Sequence, residues 1–280
     1  MIKYDSRKIV FTNAQSLKQE GIFYRVLIDD FAVYKELLDK NLVSISSGDT
    51  PYSLEAIKSN ILSFLNSKTE KQQIGSIAEL FSHVFFRELN YKQEFLYSNL
   101  EENSLKKGFD GLYSKDSKYW LVESKSTRTK GVLHKNRIND AINDLSDKVS
   151  GKTTNDPFKN AVNHIKAVRD DFNKTLLEDI RELSLDYSNG IYTSISDFNI
   201  IPTSTLFVDH TQLIDEIEKD LINIIDGKEF ADIILVCIDN KVISDFFLYL
   251  EGLYIWKKLM LNLNSLGFIE RNILKKYWLN

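Results

Sequence analysis

Asp110, Glu123 and Lys125 place two carboxylates and an amine in one short stretch, Glu123 thirteen residues after Asp110 and Lys125 two further on. Mg²⁺ takes oxygen ligands in near-octahedral geometry and keeps several waters, so two carboxylates and one backbone carbonyl are a sufficient protein contribution. Asp110, Glu123 and the Ser124 carbonyl can supply them. A metal held there, Mg²⁺ or Mn²⁺, lowers the pKa of a bound water and neutralises charge building on a phosphate oxygen. A nearby ammonium orients the water or assists its deprotonation. Lys125 is placed for that role.

A hairpin must bring these groups together. Gly108 to Tyr113 and Lys118 to Lys125 are runs rich in aromatic and branched residues, flanking polar Ser114 to Ser117, which is the pattern of an antiparallel hairpin. Strand side chains alternate, so Glu123 and Lys125 share the face of Tyr119 and Leu121, and Ser124 points the other way. Folding about residues 115 and 116 sets Asp110 opposite Leu121 or Val122, within one or two positions of Glu123. Asp-Gly is an ordinary turn former, and Glu and Lys at a strand end are ordinarily solvated. Glu-x-Lys arises by chance about once in such a chain, and here it occurs only at Glu123.

These residues resemble the PD-(D/E)XK nuclease superfamily, with Asp110 as its first acid and Glu123-Ser124-Lys125 as its Glu-x-Lys; no proline precedes Asp110. Lys107-Gly108-Phe109-Asp110-Gly111 followed by Trp120-Leu121-Val122-Glu123-Ser124-Lys125 looks most like the nuclease subunit of the Hachiman anti-phage defence system. The resemblance is good over residues 70 to 140 and reaches the remainder in outline. It implies an α/β fold, a restriction-endonuclease-like mixed central sheet flanked by helices, with extra N- and C-terminal helical elements. It also implies a metal-dependent DNA nuclease with catalytic Asp110, Glu123 and Lys125. Glu79, in Ala78-Glu79-Leu80, becomes a third acid supporting the metal or its waters. The partner implied is a helicase that supplies ATP-driven DNA engagement and restrains the nuclease.

The 280 residues, 43% hydrophobic, suit one large domain or one with an added lobe. We expect residues 1–68 to pack as α/β elements on a core spanning 69–280. Net charge is −4, so any DNA contact must be local. Lys125 to Ile138 supplies it: Arg128, Lys130, Lys135 and Arg137, with His134 and no acid, put positive potential beside the carboxylates and are candidate phosphate contacts. Asp209 to Asp232 is acidic and should face away from nucleic acid or toward a basic partner. The single cysteine, Cys237, lies in an apolar run as a core residue, which suits a reducing cytoplasm. The start lacks an apolar targeting core and the apolar runs fall short of a membrane span.

Further elements are expected in order. Phe23 to Ile28 is a strand, followed by a mixed stretch through Leu38 compatible with a helix and a loop from Ser44 to Asp49. Thr50-Pro51 should start a helix carrying Leu54, Ile57, Ile61 and Leu65. Gln72 to Leu89 is a helix with Ile74, Ile77, Ala78, Phe81, Val84 and Phe85 on one stripe and Glu79 opposite; His83 beside it reads as a surface histidine. A strand from Lys92 to Tyr97 and a polar loop to Lys107 precede the hairpin. Ile138 to Leu145 is helical, and Asp156-Pro157 starts another helix, on which Lys166 and Arg169 have no assigned role. Strands follow at Ile191 to Ser194, Thr203 to Val208 and Ile233 to Ile238, with a helix from Thr211 to Ile225. Val242 to Trp278 is helical and packed in the core. No phosphate-cradling NTPase loop, nucleophile elbow or zinc spacing is present. Two other readings differ in class: a non-catalytic nuclease-like adaptor binding a helicase or DNA, and a stand-alone restriction-type endonuclease.

Overall fold

Among the described residues the apolar runs become seven strands: β1 (Lys3–Thr12), β2 (Lys18–Ile28), β3 (Lys92–Gln93), β4 (Gly111–Lys115), β5 (Lys118–Thr127), β6 (Asn199–Leu206) and β7 (Asp232–Asn240). The computed structural model describes residues 2–48, 51–97, 108–168, 174–208 and 212–265. The strands form one mixed sheet in the order β1-β2-β7-β6-β5-β4-β3. β2, β7, β6 and β5 are mutually parallel, and the flanking pairs β1·β2, β4·β5 and β3·β4 are antiparallel. Burial on both faces explains the continuous apolar composition of β7.

The helices are α1 (Phe31–Ser47), α2 (Leu54–Asn66), α3 (Glu70–Glu88), α4 (His134–Val149), α5 (Pro157–Val168), α6 (Lys174–Ser188), α7 (Ile214–Ile225), α8 (Ile243–Leu250) and α9 (Tyr254–Ser265). Two apolar clusters lie against opposite faces of the sheet. Val122, Ile201 and Val236 pack with α1, α2, α3 and α8; Leu121, Ile200 and Leu235 pack with α4 to α7. The alternation along β5 therefore turns Glu123 and Lys125 toward the α4 layer and Ser124 toward the α3 layer.

The hairpin that carries the chemistry is tighter than expected. β4 continues to Lys115, which pairs with Lys118, and Asp116 and Ser117 take φ of 49° and 60°. Two left-handed residues make a type I′ turn, whose twist matches the strands. Gly111 then faces Val122, so Asp110 falls beside Glu123 itself rather than opposite Leu121 or Val122.

Other expectations shift for local reasons. β1 was not expected, because its charged outer half reads as polar coil; as a sheet edge it tolerates those charges. β2 pairs with β7, which builds the N-terminal elements into the same sheet. α1 runs on through Ser47, into the expected loop. α2 is capped by Ser53, whose side chain accepts from Ala56 N, so Pro51 precedes the helix. The strand expected at 92–97 shortens to β3, and 191–194 is not a strand. β6 starts at Asn199 despite Pro202; its register with β7 passes from Ile200 to Thr203, so the proline sits where that ladder is interrupted. Asp156 caps α5 as expected, accepting from Phe158 N and Lys159 N at 2.9 and 3.0 Å. The C-terminal helix breaks between α8 and α9, where Gly252 takes φ of 73°. Ile255, Trp256 and Leu259 are exposed there instead of core-packed. The Thr50 cap, the loop to Lys107, Arg169, the Thr211 cap and the segment from 266 through Trp278 lie outside the described residues, and so does the side chain of Lys166. Among the described residues no helix is long and apolar enough to cross a membrane.

Candidate active site

β4 and β5 hold the first two acids together through the backbone. Asp110 N donates to Val122 O at 3.2 Å, and Ser124 N donates to Asp110 Oδ2 at 2.8 Å. The latter bond fixes the Asp110 carboxylate against the segment that bears Glu123. Gly108, just upstream, leaves no room for a side chain: a Cβ there would stand 2.4 Å from Pro157 O. The strand entering the site is thereby seated on the start of α5.

Glu123 is 2% exposed, and both its oxygens are met by ammonium groups. Lys125 Nζ lies 2.9 Å from Oε1 and Lys148 Nζ 2.5 Å from Oε2. Asp144 bridges the two lysines, at 2.5 Å from Lys125 Nζ and 3.4 Å from Lys148 Nζ. Sequence reasoning missed Lys148 and Asp144. The expected helix ended at Leu145, whereas α4 reaches Val149 and carries Asp144 and Lys148 one turn apart on the face toward β5. An acid and a base at that spacing, flanking the Ile138, Ala141, Ile142, Leu145 stripe, were the available signal.

Burial and the neighbouring Asp110 carboxylate push the Glu123 carboxyl well above its usual range, with Lys148 and Lys125 pulling the other way. Asp110 is also raised, by burial and then by Glu79. Burial lowers the Lys125 pKa, but Glu123 and Asp144 outweigh it and leave the ammonium raised. Lys148 behaves likewise, its burial outweighed by Glu123 and Asp110. Asp144, despite burial, is held well below the usual carboxylate range by its hydrogen bonds to Glu123 and Lys125.

Glu79 reaches the site from the opposite layer, on α3. Its side chain is 14% exposed, and Oε1 lies 3.8 Å from His83 Nε2. His83, expected on the surface, is buried, with Nδ1 hydrogen-bonded to the Tyr113 hydroxyl. Phe86 on the same side of the helix was the sign that this face is covered. Glu79 thus acts electrostatically on Asp110 while leaning on His83.

Beyond Lys125, three side chains of the basic stretch pair with other acids. Arg128 Nη1 pairs with Glu70 at 2.9 Å, Lys135 Nζ with Asp220 at 3.1 Å and Arg137 Nη2 with Asp140 at 2.7 Å. Lys130 is exposed just before Gly131. The acidic segment meets basic groups of its own chain: Asp220 holds Lys135, and Asp215 and Glu218 hold Arg7 at 2.5 and 2.7 Å. His134 is fully buried, its Nδ1 2.8 Å from Ser204 Oγ and its Nε2 3.1 Å from Asp239 Oδ1, while Asp239 Oδ2 accepts from Arg25 Nε at 3.2 Å. This line of polar groups ties the first residue of α4 to β6, β7 and β2. It has the residue types of a nucleophilic triad but no opening for a substrate, so it is a strut.

Among the described residues no three Asp, Glu, His or Cys side chains stand close enough to hold a metal by themselves. The donor set nevertheless fits a hard divalent cation: two buried carboxylates, with Asp110 raising the pKa of Glu123, and a backbone carbonyl from Ser124. A cation relieves the repulsion that the pair otherwise carries. A family model described as HamA matches residues 10–249 of the chain. No curated protein matches it.

Proposed function

The chain belongs to the HamA family, a component of the Hachiman defence system, and on that footing we propose that it is a metal-dependent DNA nuclease acting with, and restrained by, a helicase partner in anti-phage defence. The observation that carries the reading is Glu123 and Lys125 on one face of β5, with Asp110 bonded to the intervening Ser124 N–H. Asp110, Glu123 and the Ser124 carbonyl would hold Mg²⁺ or Mn²⁺, which when bound supplies charge neutralisation at the phosphate and a more acidic water. Lys125, kept protonated by Glu123 and Asp144, cannot serve as a base in that state. It donates hydrogen bonds, orienting the attacking water or a phosphate oxygen. Glu79 adds negative charge beside Asp110 and so strengthens its hold on a cation. Arg128, Lys130, Lys135 and Arg137 are the candidate phosphate contacts; Arg128 and Lys130 are the exposed pair, and Lys135 and Arg137 are held by Asp220 and Asp140.

Plasmid integrity tests it. Purified protein with Mg²⁺ should consume supercoiled DNA, and chelator should abolish the loss. Glu123→Ala and Lys125→Ala should each lower the rate by at least about 100-fold, the range seen when a transition-state donor is removed. General degradation without a defined cleavage sequence separates this reading from a stand-alone restriction-type enzyme. Variants that cut as fast as the native protein would overturn the site assignment. An intact plasmid even when the helicase is added would favour the non-catalytic adaptor.

A further inference from the structure

Both oxygens of Glu123 are met by lysines of the same chain, so a cation that uses this carboxylate competes with them for it. Lys125 is the harder to move. It is gripped at once by Glu123 Oε1 and by Asp144 Oδ2, at 2.9 and 2.5 Å. Lys148 contacts Glu123 Oε2 at 2.5 Å but lies only 3.4 Å from Asp144, the residue one turn before it on α4. A rotation of its flexible stem is enough to pass the ammonium from one carboxylate to the other. The destination is also wetter: Asp144 is 35% exposed and Glu123 2%, so hydration favours the move. Two ammonium groups on one buried carboxylate repel each other, and a departure by Lys148 relieves that repulsion as well.

We propose that Lys148 is the built-in counter-cation of the metal-free site, seated on Glu123 where the divalent metal binds, and that metal entry transfers it to Asp144. The protein can then fold with two adjoining acids before any metal arrives. Glu123 and Asp144 form a two-position seat for one lysine, and Lys148 is a positioning residue that sets how much metal the site demands. The inference rests on the metal-dependent reading and goes beyond it in assigning roles to Lys148 and Asp144.

Mn²⁺ uptake by the purified protein, followed through loss of the free-ion electron paramagnetic resonance signal, tests this without reference to cleavage. Lys148→Met removes the competitor, and the Mn²⁺ concentration at half-saturation should fall about tenfold, the effect of a single strong competing contact. Asp144→Asn removes the second seat and should raise it by a similar factor. Opposite shifts support the transfer, because a merely loosened fold would move both variants the same way. Equal affinities in the native protein and both variants, or shifts in one direction, overturn the proposal while leaving the metal reading intact. If Lys148→Met does not fold, Asp144→Asn decides alone: a raised half-saturation supports the transfer and an unchanged one overturns it. Glu123→Gln is the control. If the native protein takes up no Mn²⁺, or Glu123→Gln takes it up equally well, the metal reading falls and this proposal falls with it.

Discussion

A carboxyl group buried beside another carboxyl keeps its proton longer than it does in the unfolded chain, and Glu123 is in that position. Between the ordinary glutamate range and the raised one, the folded protein holds a proton that the unfolded chain has released. The unfolded state then binds fewer protons, so stability falls as pH rises. In chelator, the melting temperature should decline as pH rises past the ordinary glutamate range through this linkage, and Glu123→Gln, which cannot ionise, should flatten the decline. Parallel slopes from thermal melts of the two proteins would remove Glu123 as the cause. Asp110, Glu123 and Lys125 were legible in the sequence because a spacing of two on a strand and a hairpin crossing are local facts. Lys148 was not: it lies 25 residues from Glu123, and a lysine near a helix end usually faces solvent. Only the packing of α4 on β5 makes it part of the site.

At the level of elements, the hairpin and α4 decide how well those groups are aligned. Asp116 and Ser117 occupy left-handed positions of a type I′ turn, for which Asn-Gly is the preferred pair. The double substitution Asp116→Asn with Ser117→Gly should relieve backbone strain and stabilise the protein by about 0.5–1 kcal/mol. Urea denaturation measures this. An unchanged midpoint would mean that the turn is not strained or that the hairpin is not part of the cooperative unit. The hairpin itself could be read from alternating apolar residues around a polar break, but its register could not, because a turn of Asp-Ser carries a weaker signal than Asn-Gly. α4 was legible in its middle, where Ile138, Ile142 and Leu145 repeat at helical spacing. Its start was hidden, since His134 sits among lysines and arginines and is buried by partners 70 and 105 residues away, Ser204 and Asp239.

Across the whole molecule, the central parallel strands announced themselves as apolar runs, while the edge strand β1 did not, because edges carry charge to discourage pairing with other chains. The same sheet brings the acidic segment around α7 against α4, and this changes the electrostatics of the basic stretch. Lys135 is drawn to Asp220 and Arg137 to Asp140. Arg128 is tied to Glu70 by a pair whose side chains are 49% and 71% exposed, which makes it weak and easily exchanged for a phosphate. Lys130 is exposed in the turn before α4. If the isolated chain contacts duplex DNA through this surface, Arg128 and Lys130 should carry the contact and the other two should not. Each phosphate neutralised contributes about −0.9 to the slope of log K against log salt. Arg128→Ala with Lys130→Ala should therefore reduce the slope by about 2 in magnitude, and Lys135→Ala with Arg137→Ala should leave it unchanged. Fluorescence anisotropy of a labelled duplex across a salt series reads both. The reverse pattern would mean that the intrachain pairs open on DNA and that the four basic residues act together. No measurable binding by either pair or by the native chain would place DNA engagement on the partner, with this chain supplying the cutting site alone.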